Sequence, residues 1–187
     1  MKFTETTLTG AWIIDIDPIS DDRGFFARWY CTDELAQHGL EPVGVQGNLS
    51  YNRLRGTVRG MHMQRPPAAE IKLIRCMRGA VYDVIIDARP DSPTRWQWVG
   101  VELTADNRRA LYVPRGFLHG YQTLSDDAEV MYQVSDVYAP GHEAGVRYDD
   151  PHIGAEWPLA VTSISEKDQH WPLLADIDRD AFGRASS

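Results

Sequence analysis

The sequence predicts an all-β domain, a sandwich or barrel with only a few short helices, on three observations. β-Branched and aromatic residues recur in runs of about four to eight, the usual length of strands. Glycine, proline, asparagine and aspartate separate these runs at short intervals. Helical periodicity is weak, and the sequence has no evident repeat or low-complexity segment. Short strands joined by regular turns indicate a sandwich or a barrel.

The clearest strand signal is Ala80–Asp87, which is rich in β-branched residues and is bounded by turn residues on both sides. Ile71–Cys76 comes just before it, and Met77-Arg78-Gly79 can join the two strands as a short hairpin. The other predicted strands are Trp96–Leu103, Arg109–Val113, Gly120–Leu124 and Glu129–Val134.

Helical signals are confined to short segments. Thr32 can cap a helix that runs to His38, and a short turn is expected after Ser165. The length of 187 residues suits one hydrophobic core, so we expect a single domain over residues 1–175. Residues 176–187 are charged and rich in small side chains, and they are expected to form a frayed end or a short helix.

Composition narrows the classes of function. The net charge of −8 argues against general nucleic-acid binding. No apolar run approaches the roughly 20 residues of a membrane span, and the first residues lack the apolar core of a signal peptide, so a cytoplasmic location is expected. Cys31 and Cys76 are expected to be free thiols in a reducing compartment.

Two segments, Arg59–Gln64 and Pro114–Gly120, each deliver one histidine after what the sequence predicts to be a tight glycine-containing turn. In a β-rich chain such segments can place both imidazoles in one cavity. Because histidine titrates near neutral pH, a pair of this kind indicates either proton transfer or metal binding.

The spacing of these residues resembles the two motifs of the cupin superfamily. Metal-binding cupins usually carry a second histidine in the first motif, where this chain has Gln64. A set reduced to His62 and His119, with Glu70 as a candidate third ligand, is poor for a transition metal. The pattern therefore favours proton transfer.

Further motifs follow one another along the chain. They are Asp22-Arg23-Gly24-Phe25-Phe26, Gln46-Gly47-Asn48-Leu49-Ser50, Arg59–Gln64, Lys72, Asp83–Asp87, Pro114–Gly120, Tyr132, Tyr138, Trp157-Pro158 and Ser165-Glu166-Lys167-Asp168. Together, from about residue 3 to residue 174, they closely resemble the dTDP-4-dehydrorhamnose 3,5-epimerase family. The resemblance implies a cupin-type jelly roll, a homodimer, and no metal or organic cofactor. It also implies inversion of C3 and C5 of dTDP-4-dehydro-6-deoxy-glucose.

The resemblance implies a catalytic role for His62, Tyr132, Asp168 and Lys72, and a substrate-binding role for His119. His62 matches the family's base, Asp168 the acid that orients it, and Tyr132 the proton donor on the opposite face. Lys72 matches the residue facing the C4 oxygen, where a cation stabilises charge that develops only as an enolate forms. His119 is expected to add a hydrogen-bond donor in the same region.

Other positions match family contacts to the rest of the substrate. Arg23 and Arg59 match contacts to the nucleotide, and a guanidinium binds phosphate through two parallel hydrogen bonds. Tyr138 matches an aromatic ring that stacks on the base. The remaining expected substrate-binding residues are Gln46, Asn48, Glu143 and Lys167.

The chain departs from the family pattern at Arg28, where well-known 3,5-epimerases carry glutamate, and this leaves the recognised base open. Met61 and Met63 replace the usual leucine and tyrosine. Two alternatives stay open. One is a mono-epimerase that inverts only C3 or C5 of a related 4-keto-6-deoxy nucleotide sugar. The other is a metal-dependent or non-catalytic sugar-binding cupin, against which the complete set of histidine, aspartate, lysine and tyrosine argues.

Overall fold

Strands dominate residues 1–183, the part of the chain that the computed structural model describes. The strands are β1 Lys2–Glu5, β2 Trp12–Asp15, β3 Ile19–Asp21, β4 Gly24–Phe26, β5 Gln46–Asn52, β6 Thr57–Gln64, β7 Lys72–Arg78, β8 Ala80–Asp87, β9 Trp98–Thr104, β10 Ala110–Val113, β11 Phe117–Thr123, β12 Ala128–Val134, β13 Glu143–Gly145 and β14 Ser163–Ile164. The helices are α1 Thr32–Gln37 and α2 Glu166–Gln169, and 3₁₀ turns cover Leu174–Asp176 and Arg179–Phe182. The predicted all-β fold is confirmed.

The strands form two six-stranded sheets and one separate hairpin. The first sheet has the order β1-β2-β10-β7-β12-β5, and the second has the order β13-β6-β11-β8-β9 with β14 beside β6. All these neighbours are antiparallel except β14, which runs parallel to β6. Several neighbouring strands are far apart in the sequence. The sheets therefore bring residues from distant parts of the chain side by side, as in other double-sheet jelly rolls.

The main core lies between the two sheets. Ile74 and Val130 of the first sheet pack in one buried cluster with Val81 and Ile85 of the second sheet, and all four are fully buried. Cys76 belongs to the same cluster, and burial raises the pKa of its thiol to about 11. A thiol that stays protonated in an apolar core packs as a small hydrophobe and is unreactive.

The segment before β5 covers part of the outer face of the first sheet. Leu35 of α1 is buried there in one cluster with Leu73 and Tyr112. The predicted helix exists, but Thr32 is its first residue and Cys31 occupies the cap position. Neither α-helix in residues 1–183 has the length and apolar character that a membrane span requires.

Several strand boundaries differ from those predicted. β8 covers the predicted residues, whereas β9 begins at Trp98 because Trp96 has a positive φ of 65°. The strand predicted to begin at Gly120 begins at Phe117, so it includes His119.

The last described residues, up to Phe182, pack against the second sheet. Phe182 is buried with its ring 5.5 Å from that of Trp96, and Asp180 pairs with Arg95 at 2.9 Å. The domain boundary at residue 175 stays a prediction, and the last four residues of the predicted tail, 184–187, lie outside the described residues.

Candidate active site

The two histidines lie side by side on adjacent strands of the second sheet. His62 of β6 is the register partner of His119 of β11, and the register shifts just beyond this pair. The turn predicted before His119 is present at Arg115-Gly116, where Gly116 has a φ of +80°. The turn predicted before His62 is wrong, because Arg59 and Gly60 lie inside β6. Gly60 has a φ of +117°, and a Cβ on it would lie 2.5 Å from the Cα of Gly120. Glycine at positions 60 and 120 therefore lets the backbones of β6 and β11 approach more closely than residues with a side chain would allow.

Two adjoining cavities open between the sheets beside these histidines. One, of about 360 Å³, is lined by Leu49, Ser50, Tyr51, Arg59, His62, Lys72, His119, Gly120, Tyr121 and Tyr132. The other, of about 200 Å³, is lined by Gln46, Asn48, His62, Met63, Gln64, Glu70, Lys72, Tyr132, Tyr138 and Glu143. Because both include His62, Lys72 and Tyr132, we treat them as one cleft. It gathers all the predicted site residues except Arg23, Lys167 and Asp168.

The imidazole of His62 is neutral at physiological pH. Burial lowers its pKa from 6.5 to about 3, and the positive charge of Lys72 acts in the same direction. A neutral imidazole beside a cavity can accept a proton from a bound molecule.

Asp168 lies close to this strand but binds its backbone. One carboxylate oxygen accepts the Gly60 N–H at 3.2 Å, and the other accepts the indole N–H of Trp171 at 3.3 Å. Ser165 caps α2 by accepting the Asp168 N–H, which confirms the turn predicted there. Among the hydrogen bonds of residues 1–183, none joins Asp168 to the His62 ring. Asp168 therefore fixes β6 two residues before His62, and its role in orienting the ring stays a prediction.

His119 has a carboxylate partner that sequence reasoning missed. Its Nε2 lies 3.0 Å from Asp83 Oδ2, and both residues are buried. Because a carboxylate only accepts, Nε2 carries the proton, which fixes the tautomer and orientation of the ring. The available signal was a charged residue inside the β-branched run of β8, since a charge in a buried strand needs a partner.

Lys72 belongs to a buried polar network. Its Nζ lies 3.4 Å from Glu70 Oε1, and the Gln64 amide donates to Glu70 Oε2 at 3.1 Å. Gln64 also accepts the Ala139 N–H at 2.7 Å, so the residue at the second-histidine position ties two loops together. Within residues 1–183, no three histidine, cysteine, aspartate or glutamate side chains are grouped to hold a metal ion.

Tyr132 projects into the cleft from β12 of the first sheet, whereas His62 projects from β6 of the second. Burial raises the pKa of its phenol, and the nearby Tyr121 and Glu70 add to that effect. A phenol that stays protonated at neutral pH can donate a proton. The candidate base and the candidate acid therefore occupy opposite walls of one cleft.

Polar side chains and an exposed ring line the outer part of the cleft. The Gln46 amide oxygen accepts the Tyr138 N–H at 3.1 Å, and its NH₂ donates to Asn48 Oδ1 at 2.9 Å. Tyr138 is half exposed, so its ring face is accessible. Lys167 bonds to Glu143 at 2.6 Å.

The arginines divide between the cleft and the surface. Arg59 lines the cleft, and its Nε donates to Asn52 Oδ1 at 2.7 Å. Arg23 lies between β3 and β4 on the hairpin that is separate from both sheets, where it pairs with Asp21 at 2.6 Å. Arg28 pairs with Glu34 at 2.7 Å, so its charge is balanced locally.

Comparison with known proteins agrees with this geometry. A family model described as dTDP-4-dehydrorhamnose 3,5-epimerase matches residues 5–176. The enzyme of that name from Methanothermobacter thermautotrophicus is 40% identical over 178 residues, covering 94% of this chain and 95% of that protein. The dTDP-4-dehydrorhamnose 3-epimerase of Streptomyces niveus is 38% identical over 182 residues, covering 97% of this chain and 87% of that protein.

A solved structure gives the same result. The crystal structure of dTDP-4-dehydrorhamnose 3,5-epimerase from Bacillus anthracis, which has TDP and PPi bound, matches with a TM-score of 0.89 and 44% identity. The match covers 92% of this chain and 99% of that chain. Sequence and fold thus agree over almost the whole molecule, and this chain belongs to the dTDP-4-dehydrorhamnose 3,5-epimerase family.

Proposed function

We propose that this protein inverts C3 and C5 of dTDP-4-dehydro-6-deoxy-glucose to give dTDP-4-dehydro-L-rhamnose. The observation that carries the proposal is the placement of a neutral imidazole, His62, and a protonated phenol, Tyr132, on opposite walls of the cleft. Inversion at a carbon requires removal of a proton from one face and its return to the other. The family match over residues 5–176 supports the same reaction.

The C4 ketone makes both carbons acidic enough for this chemistry, since C3 and C5 are each α to it. His62 removes the proton, and the electron pair of the broken C–H bond moves to the C4 oxygen as an enolate forms. Lys72 stabilises the negative oxygen, an interaction that strengthens as the charge develops. The Nε2–H of His119 is donated to Asp83, so His119 has a second N–H for this oxygen only in its doubly protonated form. Tyr132 then donates its proton to the opposite face of the carbon, and the ketone forms again.

Each inversion leaves His62 protonated and Tyr132 deprotonated. The two residues must exchange protons with solvent before the next inversion, which resets the pair for the second carbon. General acid–base catalysis of this kind contributes about 10² to 10⁴ in rate. No step of this sequence calls for a metal or an organic cofactor.

The outer part of the cleft suits the nucleotide. Arg59 supplies a guanidinium for the diphosphate, and the accessible ring of Tyr138 supplies a flat face for the base. Gln46, Asn48 and the Glu143–Lys167 pair complete the proposed contacts. Arg28 cannot act as a hydrogen-bond acceptor, so base recognition by this chain differs from that of relatives with glutamate there.

We also propose that the enzyme is a homodimer in which Arg23 reaches the cleft of the partner subunit. Arg23 does not line the cleft of its own chain, and its hairpin exposes Ile19 and Phe26 to about three quarters. Leu49 and Met77, on the first sheet, are also exposed. Apolar surface of this kind marks a protein–protein contact. The proposed compartment is the cytoplasm, where the free thiols stay reduced.

Solvent exchange tests the reaction. The enzyme is incubated with dTDP-4-dehydro-6-deoxy-glucose in D₂O, and deuterium at each carbon is followed by NMR and mass spectrometry. Deuterium at both C3 and C5, with the rhamno product, is expected. Deuterium at one carbon only would identify a mono-epimerase, the activity for which the Streptomyces niveus relative is named. No exchange without added metal would refute the proposal.

Variants assign the base in the same assay. His62→Ala should abolish exchange while nucleotide binding is retained, because the imidazole takes the proton and the nucleotide lies elsewhere in the cleft. His152→Ala, which removes a half-exposed imidazole outside the cleft, is the matched control. Full exchange by His62→Ala would disprove its role.

A further inference from the structure

We propose that Glu70 is a positioning residue of the epimerase site, which holds Lys72 as a fixed cation in the cleft and places a negative charge beside Tyr132. This inference rests on the proposed function and adds to it a residue that makes no contact with the reacting carbons. The cupin motif suggests Glu70 as a metal ligand. The geometry instead indicates that Glu70 acts on two side chains of the site, Lys72 and Tyr132.

The first support is the position of the carboxylate. Glu70 lines the cleft, and its side chain is 12% exposed. Oε1 lies 3.4 Å from Lys72 Nζ, and Oε2 accepts the Gln64 amide at 3.1 Å. Each oxygen therefore has a partner, and Gln64 holds the carboxylate in place beside the lysine.

The second support is the burial of Lys72. Its ammonium would lose most of its hydration in the folded chain, since the side chain is 8% exposed. Glu70 is the one carboxylate that forms an ion pair with it among residues 1–183. Removing one partner of a buried pair leaves the other charge uncompensated, so Glu70 is the group that compensates the buried ammonium of Lys72.

The third support is the effect on Tyr132. The charge of Glu70 raises the pKa of this phenol, adding to burial and to the nearby Tyr121. Lys72 must be protonated to stabilise an enolate, and Tyr132 must be protonated to return a proton. One carboxylate thus favours the protonated phenol of Tyr132 and compensates the charge of Lys72.

Other charged and titratable groups face the same cleft and are present in every variant below. They are His62 and Arg59 from β6, His119 and Tyr121 from β11, Tyr51 from β5, Tyr132 from β12, Glu143 from β13 and Tyr138 from the segment before it, with Lys167 near His62 and Asp83 behind His119. A change on altering residue 70 alone is therefore attributed to Glu70.

The chain contains only three lysines, Lys2, Lys72 and Lys167, so a direct measurement is practical. The full-length protein is labelled with ¹³Cε-lysine and titrated by NMR, and the Lys72 signal is assigned with Lys72→Arg. In Glu70→Gln, which keeps the side-chain shape, the titration midpoint of Lys72 should move to lower pH, because the buried ammonium loses its compensating charge. The signals of Lys2 and Lys167 should not move.

Kinetics provide the second readout. The alkaline limb of the kcat–pH profile of Glu70→Gln should move to lower pH with KM nearly unchanged, and Glu70→Asp should restore part of the shift. Glu129→Gln, which removes a half-buried carboxylate 4.0 Å from Arg78 and outside the cleft, is the control and should match the wild type. A folded Glu70→Gln protein with the wild-type Lys72 midpoint overturns the inference. The NMR result does not depend on turnover, so failure of the proposed reaction would be recognised separately by absent solvent exchange.

Discussion

Replacing Gly60 by alanine tests whether the close approach of β6 and β11 is what places the two histidines. A Cβ on Gly60 would lie 2.5 Å from the Cα of Gly120 and 2.7 Å from the His119 carbonyl oxygen. Both are backbone atoms, so the strands must separate to admit it. The φ of +117° adds strain, because residues with a side chain rarely adopt it.

The magnitude follows from these two effects. Backbone strain of this kind costs about 1–3 kcal/mol, and overpacking adds about 1–3 kcal/mol, so Gly60→Ala should lose about 2–6 kcal/mol of unfolding free energy. At about 2–4 °C per kcal/mol for a chain of this size, the melting temperature should fall by roughly 5–20 °C. Displacement of His62 by about 1 Å should also lower kcat by about 10²-fold.

Thermal unfolding followed by circular dichroism gives the stability, and product formation gives kcat. Gly47→Ala is the control for the substitution, since a Cβ there meets nothing within 4 Å. Gly141 has a positive φ of 87°, and a Cβ there would meet nothing within 4 Å. Gly141→Ala therefore measures the backbone strain without the steric clash. If Gly60→Ala melts and turns over like Gly47→Ala, the argument from close approach is wrong.

Three further predictions concern the catalytic groups. Because the pKa of His62 is about 3 when folded and 6.5 when unfolded, its contribution to the unfolding free energy should fall by about 1.4 kcal/mol per unit as pH drops from 6.5 towards 3. Urea titrations across this range should show that His62→Gln lacks the dependence, and identical curves would contradict the assigned shift. Tyr132→Phe should keep deuterium exchange but lose about 10²- to 10⁴-fold in product formation, because removal of the proton survives and its return to the opposite face does not; equal losses in both would contradict a donor role. Mixing inactive His62→Ala subunits with weakened Arg23→Ala subunits should restore activity at low substrate concentration if Arg23 serves the partner's cleft. No recovery would refute that role of Arg23.

The sequence predicted those parts of the fold that depend on local composition. β8 was predicted correctly because a β-branched run lies between Gly79 and a proline-rich turn. β9 was placed too early because Trp96 favours a strand by composition, whereas its backbone turns with a positive φ. The start of β11 was missed because Pro114 and Gly116 suggest a longer turn than the chain makes.

The same division holds for the site. The motifs predicted that His62, Lys72, His119 and Tyr132 share one cavity, and the structure brings them together. The partners of these groups depend on how distant segments meet, which the sequence does not reveal. Asp83 contacts His119 from 36 residues away. The Gln64 amide reaches the Glu70 carboxylate only because the loop between the two residues folds back.

The division of the cleft between two sheets gives the hydrophobic core a part in the chemistry. The distance between the proposed proton acceptor, His62, and the proposed donor, Tyr132, depends on the distance between the walls, which packed side chains such as Ile74 and Ile85 help to set. Ile74 lies two residues from Lys72 on the same strand, facing the second sheet. A smaller side chain at either core position would let the walls approach. His62 and Tyr132 would then no longer be spaced to fit the two faces of the sugar carbon, so we expect the thickness of the core to affect how completely the configuration is inverted.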